Sequence, residues 1–146
     1  AAVEAAGLPS ASAAPAVDEL RLAKLKKANL SSAGAWELGC VYMPEPVMGE
    51  DGRPFFPQLF LVVDHGSGQI LAMELSERSK MGEAAATKFL ALLEQTRRVP
   101  SQLAALKEQP LDFLQPIVGA LGIPCFLAQS LPSLEEAQAS VLGGMG

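Results

Sequence analysis

The chain has 146 residues, enough for one domain with a single core and little more. Apolar residues make up 49% of it and the mean hydropathy is +0.25, which excludes intrinsic disorder, yet no apolar run approaches the roughly 20 residues that a membrane span needs. Eleven Lys and Arg against 16 Asp and Glu leave a net charge of −5, a balance that repels phosphate backbones and disfavours nucleic acid as a partner. One His and two Cys are too few for a His/Cys zinc site within one chain, and a serine–histidine hydrolase would rest on His65 alone.

Residues 1–17 (AAVEAAGLPSASAAPAV) have the Ala, Ser and Pro content of a flexible tail and lack the basic start and apolar block of a secretory signal. Over 18–30 the pattern changes to an amphipathic helix. Asp18 stands as N-cap, Leu20, Leu22 and Leu25 supply the apolar positions, and Lys24, Lys26 and Lys27 gather where the helix dipole favours cations. The remainder, 31–146, reads as a single α/β domain.

Trp36 opens a first strand over 36–43, which Pro44 and Pro46 end, and MGEDGRP (48–54) is a turn. The run QLFLVV (58–63) is continuously apolar and short, the pattern of a strand buried on both faces. Asp64 to Gly68 form a turn, and QILAMEL (69–75) returns as the second arm of a hairpin. Leu59, Leu61 and Val63 should then line one face, and Phe60 and Val62 the other. A helix follows, capped by Ser79, lined by Ala86, Phe89, Leu90 and Leu93, and stopped by Pro100. SQLAAL (101–106) suits a helix by propensity and a short strand by position. Pro110 begins another helix that Pro116 should kink and Gly122 end, and 123–128 read as the last strand. Ser133 to Glu136 resemble a capping box for a final helix that closes before Gly143. Three antiparallel strands followed by alternating helices and strands predict a mixed five-stranded sheet flanked by helices.

With Trp36 at its head, the order of LFLVVDHGSGQILAMELSE (59–77), GEAAATKFLALLEQ (82–95) and LGIPCFLA (121–128) resembles the catalytic core of retroviral-type integrases and bacterial transposases, which have the RNase H-like fold. The resemblance spans roughly 90 residues. It implies three carboxylates holding two divalent ions, which stabilise the attacking and leaving oxygens of a phosphoryl transfer. Its first carboxylate position, three residues after the tryptophan, is Gly39, with Glu37 two residues away on the same face. The second position falls to Glu108 and the third to Glu135 or Glu136. Glu108, Glu135 and Glu136 are thus the candidate catalytic residues of a site without its central ligand. The expectation is a degenerate, non-catalytic relative of the kind found among uncharacterised bacterial domains, structural or protein-binding in role and binding no metal and no cofactor. A divergent nuclease and a regulatory module of a larger protein are the alternatives.

Other residues read more simply. Asp64 and His65 are adjacent on the chain and so should point apart, as turn residues rather than a catalytic pair. Cys40 and Cys125 fall on strands one and five with the fourth between them, about 10 Å apart and too far for a disulfide, which suits free thiols in the cytoplasm. GSGQ (66–69) lies in a hairpin, where it cannot serve as a nucleotide-binding loop. Phe55 and Phe56, set between Pro54 and Pro57, are the candidate anchors for a protein partner or a second copy of the chain.

Overall fold

A computed structural model describes residues 18–145; the tail read over 1–17 lies outside the described residues. The order of elements is α1 (Glu19–Lys27), β1 (Ser31–Tyr42), β2 (Val47–Met48), β3 (Pro54–Phe55), β4 (Gln58–Asp64), β5 (Ile70–Ser76), α2 (Arg78–Thr96), β6 (Arg98–Ala105), α3 (Glu108–Phe113), α4 (Gln115–Leu121), β7 (Cys125–Leu127) and α5 (Pro132–Met145). Five strands form one mixed sheet in the order β5-β4-β1-β6-β7, and β2 and β3 pair separately as a small ribbon. β4 is antiparallel to both β1 and β5, whereas β6 is parallel to β1 and β7 parallel to β6.

The apolar run of β4 makes the centre of the molecule. Leu59, Leu61 and Val63 face α5 and join Met43, Leu131, Leu134 and Ala137 in one cluster. Phe60 and Val62 face the other way, into a larger cluster with Trp36, Leu38, Met81, Phe89 and Leu93. Residues 59 to 63 are buried throughout, as a strand without a polar side chain between Leu59 and Val63 must be. The two faces therefore have different covers, α2 with α1, α3 and α4 on one and α5 on the other. Trp36 meets Phe89 edge to face, ring centroids 6.0 Å apart, and this contact fixes β1 against α2.

Several expectations are corrected by the packing. β1 begins at Ser31, five residues before Trp36, because parallel pairing with β6 satisfies its amino-terminal half from Ser31↔Arg98 onward. Within the stretch 101–106, residues 101–105 belong to β6, so neighbours overrule its helical propensity. Pro100 does not stop α2. The helix ends at Thr96 because Arg97 turns left-handed, φ 56°, and its N–H closes on Leu93 O. Pro100 lies inside β6, opposite Ala33, where its missing N–H costs no ladder bond to β7, which pairs only from Leu103 on. Ser79 is not the cap of α2 either: Glu77 stands there, and Ser79 Oγ donates to its carboxylate at 2.9 Å.

Pro116 divides the expected single helix into α3 and α4, sitting in the first turn of the second piece, where the absent N–H is harmless. Gly122 ends α4 with φ 69°, a left-handed position that favours glycine. The capping box at α5 is shifted from its expected place. Glu135 Oε2 accepts from Leu131 N at 3.0 Å, so Glu135 rather than Glu136 closes the box, and the helix continues through Gly143 to Met145.

Candidate functional site

The most constrained polar group is Glu37, on β1 under the start of α5. Its carboxylate is 1% exposed and both oxygens are engaged. Oε1 accepts from the backbone N–H of Leu134 at 2.8 Å, and Oε2 lies 2.6 Å from His65 Nδ1. The first contact caps α5 from outside its own sequence, supplying an acceptor and a negative charge to the helix N-terminus. The second orients His65, whose side chain remains 61% exposed, so the ring spans from a buried carboxylate to solvent. His65 is held there by its backbone as well, since its N–H donates to Ala35 O at 3.0 Å.

The β4–β5 turn is built as the sequence predicts, with Gly68 N donating to Asp64 O and Asp64 N to Gln69 O, both at 2.8 Å. Asp64 Oδ2 accepts from both Ser67 N and Ser67 Oγ at 2.8 Å, and these bonds hold the Asp64 carboxyl below the usual carboxylate range. Asp64 and His65 do point to different partners. What the sequence reading missed is that His65 reaches Glu37, 28 residues earlier, because β1 and β4 pair antiparallel with Glu37 opposite Val63. The buried acid in the middle of an apolar strand was the available signal.

Next to this pair α5 crosses close over β1, beside a cleft of about 210 Å³ that Gly39, Leu106, Lys107, Leu134 and Gln138 help to line. A Cβ built on Gly39 would stand 2.8 Å from Leu134 Cδ1 and would overlap the end of Gln138 as well. Leu134 is fully buried, so its side chain cannot swing aside without repacking. Gly39 thus permits a close approach of helix to strand that any larger residue would disturb.

The carboxylates that the resemblance assigned lie on two different helices, α3 and α5. Glu108 opens α3 on the surface, Glu136 is exposed on α5, and Glu135 is committed to its helix cap. Among the described residues no group of three or more His, Cys, Asp or Glu is placed to hold a metal ion. Cys40 and Cys125 are free thiols, separated by β6 as expected. Burial pushes the Cys40 thiol up to about 11 against the opposing influence of Lys107, and burial raises Cys125 too. Both are therefore protonated and weak nucleophiles at neutral pH.

Phe55 and Phe56 lie on the returning arm of the β2–β3 ribbon rather than at its tip, which is the turn around Gly52. Phe55 is half-buried opposite Val47, whereas Phe56 is exposed. Val47 and Met48 are exposed on the same ribbon, and Tyr42 is exposed at the end of β1. Beside it, Met48, Phe55, Arg53, Glu77 and Lys80 line a shallow cleft of about 640 Å³. Among the described residues no helix is long and apolar enough to cross a membrane.

The family model described as "Domain of unknown function (DUF6930)" matches residues 21–142. The chain belongs to the DUF6930 family. The match begins within α1 and ends within α5, so the DUF6930 domain takes in the Glu37–His65 pair and both packed faces of the sheet. No curated protein matches the sequence.

Proposed function

We propose that this DUF6930 domain is a non-catalytic, protein-binding domain of the cytoplasm, built on an RNase H-like core. The observation that carries the reading is that the metal-bridging position on β1 has no carboxylate free to serve it. In a two-metal nuclease a carboxylate on the first strand must face open space, where it can bridge both ions. Here Gly39 occupies that place beneath Leu134 and Gln138, and the neighbouring Glu37 has both oxygens engaged by His65 and Leu134. The strand order, with a central β1 flanked by an antiparallel hairpin and by parallel β6 and β7, supports the RNase H-like part of the reading. The exposed Val47, Met48 and Phe56 at the β2–β3 ribbon, with exposed Tyr42 at the end of β1, support the binding part. Free thiols suit a reducing compartment.

The test is calorimetric titration with manganese, together with a plasmid-nicking assay. The expected result is no micromolar binding and no nicking. Micromolar binding, with nicking that disappears in Glu108→Gln, would establish the divergent nuclease instead.

A further inference from the structure

We propose that the cleft beside β1 and α5 binds the free carboxyl terminus of an extended peptide, which adds as a strand to the open edge of β1. β6 pairs with β1 only as far as Leu38↔Ala105, whereas β1 runs on to Tyr42. Among the described residues, no strand covers the side of 39–42 that faces away from β4. That side carries bonding groups. His65 N donates to Ala35 O and Met43 N to Pro57 O, and the register of β1 with β4 is unbroken between them. The odd-numbered residues of β1 thus direct their backbone bonds at β4, and the N–H and C=O of Cys40 and Tyr42 point to the open side. Neither residue forms a backbone bond outside the sheet ladder among the described residues. An antiparallel neighbour can exchange both of its bonds with Cys40, which is how an extended peptide joins an exposed sheet edge.

The cleft lies where such a strand would end. Its volume of about 210 Å³ exceeds the roughly 150 Å³ of a cavity that holds benzene, so one terminal residue the size of valine or leucine fits. Leu106, Pro110 and Leu134 supply apolar walls. Lys107 stands at the inner end, just past the last residues of β6, and has no ion-pair partner among the described residues. Its charge reaches into the cleft, where it opposes the rise that burial imposes on the Cys40 thiol. Glu108 follows it on α3 but does not line the cleft. A lone cation on a chain of net charge −5 suits a single carboxylate and not a polyanion. The cation also sets the direction. β1 runs outward from Gly39 to Tyr42, so a peptide antiparallel to it runs inward and brings its carboxyl end to Lys107.

The inference rests on the reading of the domain as a protein-binding module, but nicking and peptide binding are scored separately, so either can fail alone. The probe is the peptide acetyl-Ala-Ala-Val-Leu, titrated as its free acid into the isotope-labelled full chain and followed by NMR. The acid should shift the amide signals of Gly39, Cys40 and Tyr42 and slow hydrogen exchange at Cys40 and Tyr42. The carboxamide of the same peptide should bind about fivefold more weakly, the fold-change of losing one exposed ion pair. Lys107→Gln, at an exposed position that leaves the core untouched, should weaken the acid by the same factor and leave the carboxamide unchanged. Isocaproate, which has the leucine side chain and carboxylate but no backbone, separates a small-molecule site from a peptide site and should bind more weakly than the peptide. No binding of the acid, an acid no tighter than its amide, an affinity unchanged in Lys107→Gln, or isocaproate as tight as the peptide would overturn the proposal.

Discussion

At the scale of single residues, Glu37 joins parts of the chain that are far apart in sequence. It lies on β1, orients a histidine at the end of the β4–β5 hairpin and caps a helix that begins 95 residues later, so its removal affects three elements together. Glu37→Ala leaves the Leu134 N–H without its acceptor and opens a buried void. The expected loss is at least about 1–3 kcal/mol, the penalty of a buried donor left unsatisfied, with the cavity adding to it. Glu37→Gln retains an acceptor for Leu134 and costs about 1–3 kcal/mol, the range for an imperfectly satisfied buried group. Urea denaturation of the two variants beside wild type measures both values. Gln58 is the counterexample, since its Oε1 is buried with no hydrogen-bond partner among the described residues.

At the scale of elements, α1 is attached to α2 by two kinds of contact. Leu22 and Leu25 enter the larger apolar cluster, and Arg21 donates through Nε and Nη2 to the two carboxylate oxygens of Glu94. This fork holds the Glu94 carboxyl below the usual carboxylate range and raises the Arg21 guanidinium further. A carboxyl lowered in the folded state contributes stability that is fully present above its unfolded value, near 4, and is lost as pH falls through the folded value. The pair is about one-third exposed, so its contribution at neutral pH stays within about 1 kcal/mol. Glu94→Gln should accordingly lower the urea midpoint slightly at pH 7 and reduce its further decline between about pH 5 and pH 3. A shallower slope will persist from Asp64, whose bonds to Ser67 act in the same direction.

At the scale of the whole molecule, the sheet carries a separate apolar layer on each side, and stability is concentrated where β4 feeds both. Phe60 is fully buried against the α2 face, so Phe60→Ala should cost about 3–5 kcal/mol through lost transfer energy and the cavity left behind. Phe56 is 52% exposed, and Phe56→Ala should stay within about 0.5 kcal/mol. Thermal or urea unfolding of the two variants separates the core aromatic from the one free to meet a partner.

Local chemistry alone determined much of this molecule. An unbroken apolar run specified β4, a tight polar turn specified its return, and periodic leucines and phenylalanines specified α2. Pro116 and Gly122 marked the boundaries of α4 because proline and glycine impose backbone limits that neighbours seldom override. Tertiary structure decided the rest. β6 is a strand because β1 and β7 lie on either side of it, despite a helical composition and an internal proline. Glu37 and His65 meet because antiparallel pairing folds β4 back along β1, and Gly39 is crossed closely by α5, which descends onto that same face. Propensity and capping act over a few residues and can be read along the chain, whereas a buried carboxylate finds its partners only once distant strands and helices have packed around it.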